Sequence, residues 1–194
     1  MTLATEPMPL EAYLDYDDGT ETRYELANGV LVEIPAETPL NKTIAMFLVS
    51  YFMQLGIPYY RLATGHQMEI SSEKATVRDP DLVVHTEASA AATLSDGRLL
   101  RQGQPDPLLV VEVVSNSNKD RRSYQRDYVE KRCEYAKRGI PEYWIVDPVM
   151  AVVYVFCLEA VSYKEQCFAG HSSIESPTFP SFDLTAAQIL SEGL

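Results

Sequence analysis

The stretch "PLLVVEVVSNSNKD", residues 107 to 120, constrains the fold more than any other. From Leu108 to Val114 it is an unbroken run of Leu and Val, interrupted once, by Glu112. A strand this apolar has no face to offer water, so it must be covered on both sides and lie inside a layered structure. Glu112 then stands in a place where an ionised carboxylate costs several kcal/mol unless a cation, a metal or a proton compensates it.

The remaining segments supply what such a strand needs. "PLEAYLDYDD" reads as a short helix. "TRYELANGVLVEI" reads as two strands around Asn28-Gly29, a strong hairpin signal. Thr38 and Pro39 open a helix through "PLNKTIAMFLVSYFMQLG" that Gly56 stops. "YYRLAT" and "HQMEI" are strand-like, and "VRDPDLVVH" is a second short buried strand, entered through Pro80 in an extended approach. "ASAAATLSDGRLLRQGQPD" reads as a partly helical excursion. After "LLVVEVVS", the turn and cap residues "SNSNKD" lead into a long basic helix from about Asp120 to Lys137, ended by Gly139 and Pro141. "EYWIVDP" and "AVVYVFCLE" read as a hairpin turned at Asp147-Pro148, and the tail ends in a small helix. The expected class is α/β or α+β around one mixed central sheet flanked by helices.

At 194 residues the chain suits a single domain over residues 1–194, with a full core and no need of staples. Cys133, Cys157 and Cys167 are odd in number and form no C-x-x-C pair, which argues against a disulfide framework or structural zinc. No leader pattern opens the sequence and no apolar stretch reaches the roughly 18 residues of a membrane span, so a soluble cytoplasmic protein is expected, with no membrane partner.

The net charge of −12 opposes general polyanion binding. The bases are unevenly spread, however. Eight of the sixteen lie between Lys119 and Arg138 beside four acids, Asp120, Asp127, Glu130 and Glu134. Two readings fit: a local basic surface on an acidic body, or a solvated helix laced with i,i+4 ion pairs.

Strand periodicity places Glu112 on one face with Val110 and Val114, while Leu109, Val111 and Val113 point the other way. If the two buried strands are neighbours, Asp81 and Glu112 lie close enough to share a hard divalent cation, which takes oxygen ligands. Taken alone, Asp81 beside Pro80 reads equally well as a turn cap or a salt-bridged acid. On the basic helix, Lys131 falls about 20° from Tyr124 and joins the stripe of Tyr124, Tyr128 and Tyr135, whereas Arg126, Arg132 and Lys137 fall toward solvent. A lysine on the face that packs against a sheet either snorkels to water, pairs with an acid, or reaches the site of Asp81 and Glu112. His66, His85 and His171 lack metal-ligand spacing, and Ser115 and Ser117 lie in no nucleophile elbow.

An acid after Pro80, followed by a hydrophobic strand with an embedded glutamate, resembles the PD-(D/E)XK nuclease superfamily. Within it, the chain looks like the "putative restriction endonuclease" family abundant in cyanobacteria. The likeness runs in order through "YELANGVLVEIP", "DPDLVV", "PLLVVEVVSNSNKDRR", "EKRCEYAKRGIPEYWIVDP" and "SPTFPSFDL". It implies a restriction-endonuclease-like fold and a Mg²⁺-dependent endonuclease acting on DNA, with Mn²⁺ as a substitute. A homodimer would suit a duplex with two strands to cut. By the resemblance, Asp81 and Glu112 are the metal-binding acids, joined by the Val113 carbonyl. Val114 occupies the position of the usual strand lysine, and Lys131 on the helix replaces it, positioning and deprotonating the attacking water. Glu25 of "YEL" matches a further acidic position of the site. Asn41 stands where relatives commonly carry histidine. The rival readings are a catalytically inactive nucleic-acid or protein binding module on the same fold, and a nuclease acting on RNA.

Overall fold

The structure is a computed structural model that describes residues 6–34, 37–70, 76–115 and 121–191. Helix α1 (Leu10–Leu14) precedes a hairpin of β1 (Arg23–Ala27) and β2 (Val30–Ile34). Its turn puts Asn28 at φ 49° and Gly29 at φ 76°, the paired positive angles that match strand twist. Helix α2 (Pro39–Gln54) begins at Thr38, whose hydroxyl accepts the Asn41 N–H at 3.2 Å. The expected strand "YYRLAT" is half a 3₁₀ turn, Tyr59–Arg61, and only Leu62–Ala63 pairs, as β3.

The expectation of one sheet is corrected to two. Pro80 has no N–H to give a ladder, so "TVRDPDLVV" breaks around it. Its first half, β5 (Thr76–Arg78), joins β4 (Met68–Ile70) and the hairpin in a sheet of order β2-β1-β5-β4. Its second half, β6 (Leu82–Val84), enters a six-stranded sheet of order β10-β9-β8-β7-β6-β3. There β7 (Leu109–Val113) pairs antiparallel with β6 and parallel with β8 (Glu142–Asp147). The parallel step requires a crossover, and the basic helix supplies it. Strands β9 (Val152–Glu159) and β10 (Ser162–Ala169) complete the sheet. The polar β10 edge strand went unread in the sequence because only Tyr163 and Phe168 of it are buried.

Every residue of β7 and β8 is buried. Leu109, Val111 and Val113 pack with Trp144 and Val146 under α2 and α6 (Ala186–Ser191). On the opposite face, Val110 and Val114 pack with Tyr135, Ile140 and Tyr143. Glu112 therefore points into the second of these layers, beneath the crossover helix. That helix has three parts: α4 (Arg121–Tyr124), a π-helical turn (Gln125–Glu130) and α5 (Lys131–Arg138). Gly139, at φ 95°, ends it, as Pro141 requires. Between β6 and β7 lies α3 (Glu87–Asp96). The proposed cap stretch, with Ser117, Lys119 and Asp120, lies outside the described residues. The three cysteines are free, and among the described residues no helix is long and apolar enough to cross a membrane.

Candidate active site

Where the chain leaves one sheet for the other, four acids and a lysine meet. Leu82 pairs with Val111, so continuing that register by one residue sets Asp81 opposite Glu112 on the same face. Asp81 Oδ2 accepts the Val113 N–H at 2.6 Å, which anchors the acid to the neighbouring strand. Glu112 Oε1 accepts from the Tyr135 hydroxyl at 3.0 Å and from Lys131 Nζ at 2.8 Å. Lys131, only 4% exposed, reaches back from the helix to the strand beside the buried Tyr135, whereas Tyr124, expected on the same stripe, is exposed because the π turn lies between them.

Glu25 completes the group. It is buried on β1, with Oε1 accepting the Asp79 N–H at 3.1 Å and facing Lys131 Nζ at 3.3 Å. Its Oε2 takes Nη1 of the buried Arg78 at 3.0 Å. Arg78 in turn forks onto both oxygens of Glu134 at 2.8 Å, tying β5 to α5. Asp127, one turn before Lys131, places Oδ1 3.7 Å from the ammonium. Asp81, Glu112, Lys131 and Glu25, scattered over more than a hundred positions of sequence, thus share one cleft of about 140 Å³.

The charges do not balance. Glu25, Asp81, Glu112 and Asp127 converge on Lys131, Arg126 and Arg78, and Arg78 is shared with Glu134. Burial, reinforced by Asp81, Asp127 and Glu25, pushes the Glu112 carboxyl up to about 8 against the pull of Lys131. Burial likewise raises Asp81 to about 6, although the Val113 N–H and Lys131 oppose it. Glu25 moves the other way: Lys131, Arg78 and the Asp79 N–H overcome its burial and hold it near 2. Lys131 is kept an ammonium, since Glu112, Glu25 and Asp127 outweigh its desolvation. Asp81 and Glu112, the two acids expected to hold a metal, are therefore the ones that ionise least readily without a further cation, Glu112 holding its proton near neutral pH.

Those two residues fit a hard divalent cation. Each has one oxygen fixed by a hydrogen bond and a second that makes none among the described residues, on a shared cleft. Asp79, lining the same cleft, has a buried Oδ1 without a hydrogen-bond partner among the described residues, a desolvation that a cation or its water would relieve. Among the described residues no group of three or more His, Cys, Asp or Glu is placed to hold a metal ion, so a cation here would rest on two carboxylates and waters. The site is of the open kind that suits Mg²⁺, which keeps several waters and uses one or two carboxylates. The Val113 carbonyl, expected as a third ligand, accepts Asn41 Nδ2 at 2.6 Å and has one lone pair left. Asn41 also donates to Ser115 Oγ at 2.7 Å, so this position touches the site directly.

Of the six bases of this run whose side chains are described, four are drawn into ion pairs rather than arrayed as the basic surface considered from the sequence. Lys131 is buried among acids. Arg138 is buried and pairs with Asp106, and Arg132 pairs with Glu165 while lying over the Phe156 ring. Arg126, expected toward solvent, lines the cleft instead and forks onto Asp127 at 2.8 and 3.1 Å. Lys137 is exposed as expected. Asp127, four residues before Lys131, was findable from helix spacing; Arg78 and Asp79, beside the quoted "DPD", were not, because their partners lie on β1 and α5.

A six-stranded mixed sheet carrying two acids on adjacent strands, met by a lysine from the crossover helix, defines a restriction-endonuclease-like α+β fold. A putative nuclease of DUF820 from Anabaena variabilis has the same fold, with a TM-score of 0.68 and 16% identity over 97% of this chain and 100% of that one. The chain belongs to the Uma2 family, described as "Putative restriction endonuclease", whose family model matches residues 10–187. No curated protein matches it.

Proposed function

We propose that the chain is a Mg²⁺-dependent endonuclease that hydrolyses phosphodiester bonds in DNA, with Mn²⁺ able to replace Mg²⁺. One observation carries the reading: Lys131 Nζ lies 2.8 Å from Glu112 Oε1 on a cleft that Asp81 also lines. A divalent cation bound by Asp81 and Glu112, with the Val113 carbonyl, would supply Lewis-acid polarisation of the phosphate and acidify a water. The protein's own residues fix the geometry. The Val113 N–H orients Asp81, and the Tyr135 hydroxyl orients Glu112. Lys131, held as an ammonium, has no lone pair to accept a proton, so it positions the attacking water and stabilises charge on the phosphate rather than acting as the base. Glu25 and Asp127 keep that ammonium in place.

The test is incubation of the protein with plasmid, single-stranded DNA and RNA in Mg²⁺ or Mn²⁺, beside Asp81→Asn, Glu112→Gln and Lys131→Gln. DNA cleavage should fall at least 100-fold in each variant, and calorimetric titration should show Mn²⁺ binding lost in the first two. Variants that cut as well as the parent would sink the site assignment. Cleavage confined to RNA would correct the substrate, and a parent that cuts nothing would leave a binding module.

A further inference from the structure

Arg126 is in the wrong place for an α-helix. On a regular wheel it would stand roughly 140° from Lys131, on the solvent side. It lines the cleft because the Lys131 N–H bonds to the Arg126 carbonyl, five residues back, across the π turn. A π turn advances by only about 80 to 85° per residue, which brings the two side chains within roughly 50° of each other. The turn therefore delivers Arg126, Asp127 and Lys131 to one cavity, which an α-helix could not do.

The guanidinium is also only partly used. Asp127 takes Nε and one N–H of Nη2, leaving three of the five N–H groups without a partner among the described residues. The side chain keeps 27% of its surface exposed on a cleft that Asp81 and Glu112 line. A fork braced by a carboxylate, with donors left over beside a cation-binding pair of acids, has the form of a bidentate phosphate clamp.

We infer that Arg126 is the phosphate-binding residue of this cleft, giving its free N–H groups to a non-bridging oxygen of the phosphodiester that Asp81 and Glu112 face. This rests on the nuclease reading. Its rival is that Arg126 merely balances the charge of Asp127.

A double-mutant cycle separates the two, using plasmid cleavage in Mn²⁺ by the parent, Arg126→Ala, Asp127→Asn and the double variant. For a phosphate clamp, kcat/KM falls roughly 10- to 100-fold on losing Arg126 in either background, the range for a charge-assisted hydrogen bond. Methylguanidinium added to Arg126→Ala restores part of it, and Arg126→Lys, a charge without a fork, is intermediate. Anisotropy of a fluorescein-labelled duplex in non-cleaving Ca²⁺ shows the same loss as weaker binding. Arg126→Gln, similar in length, stands in if the alanine variant melts early. The inference is overturned if the loss disappears in the Asp127→Asn background, or if Arg126→Ala and Arg126→Gln cut and bind like the parent. If the parent neither cuts nor binds nucleic acid, the nuclease reading falls and takes this one with it.

Discussion

His85 is buried between partners on two sides: its ring nitrogens lie 3.2 Å from His66 Nδ1 and 3.1 Å from Ser89 Oγ. Burial, with repulsion from His66 and Arg61, depresses its pKa to about 4. The unfolded chain takes up this proton near pH 6.5, whereas the folded protein resists it until about pH 4. Between those values the unfolded state binds more protons, so the stability that neutral His85 contributes is present above pH 6.5 and lost as pH falls toward 4. The loss is on the order of 3 kcal/mol. Urea midpoints should show the parent's advantage over His85→Gln shrinking by that amount between pH 7 and 4; a pH-independent difference would rule the account out. The sequence showed only that His85 lacks metal-ligand spacing, and its neighbours His66 and Ser89 make it a hydrogen-bonded residue of the core. It also disclosed Glu112 and Lys131 as a facing pair, because each breaks the period of an otherwise apolar or aromatic face. Asp79, Arg78 and Arg126 break no local pattern, since what makes them special is partners brought close by folding.

A single side chain straps the four-stranded sheet to the crossover helix. Arg78, at the end of β5, holds Glu25 on β1 and Glu134 on α5, with all three largely withdrawn from water. Replacing it with methionine leaves Glu134 without its countercharge and Glu25 with Lys131 alone, which costs about 3–5 kcal/mol. Arg78→Met combined with Glu134→Gln should recover much of that, because the neutral amide needs no countercharge. Denaturant unfolding of the two variants measures it, and a double variant no more stable than the single one refutes the strap. Elements of this kind are only half legible in sequence. The buried strands, the Asn28-Gly29 hairpin and the capped α2 follow from local rules. The division into two sheets turns on Pro80 sending β5 and β6 to different neighbours, and the π turn defeats any wheel drawn at 100° per residue.

At the scale of the molecule, a nuclease with a net charge of −12 must hold a polyanion with few free cations. The fold sharpens that demand, because the helix that concentrates half of the bases spends four of them internally: Lys131 on Glu112, Arg138 on Asp106, Arg132 on Glu165 and Arg126 on Asp127. Acids distant in sequence made three of those pairs, all but Arg126 with Asp127, so the charge run alone could not show how far it would be consumed. Outside the helix, Arg23 pairs with Glu37 and Asp79, and Arg101 with Asp96 and Glu11. Lys42, near the start of α2 and facing a groove that Asp81 also lines, makes no ion pair among the described residues. Binding strength would then come chiefly from the cleft of Asp81, Glu112 and Lys131 rather than from a broad basic surface, and this has a measurable signature. Each phosphate neutralised by Lys or Arg contributes about −0.9 to the slope of log K against log salt. If the cations beside the cleft that keep donors free among the described residues, Lys42 and Arg126, are the ones that reach phosphates, the slope for a labelled duplex in Ca²⁺ should be no steeper than about −3. Lys42→Ala should flatten it by about one unit, and Lys137→Ala, on the far side of the helix from the tyrosine stripe, should leave it unchanged. A slope of about −6 or steeper would mean that an extensive cationic surface exists after all, and that the acidic body is not what sets the affinity.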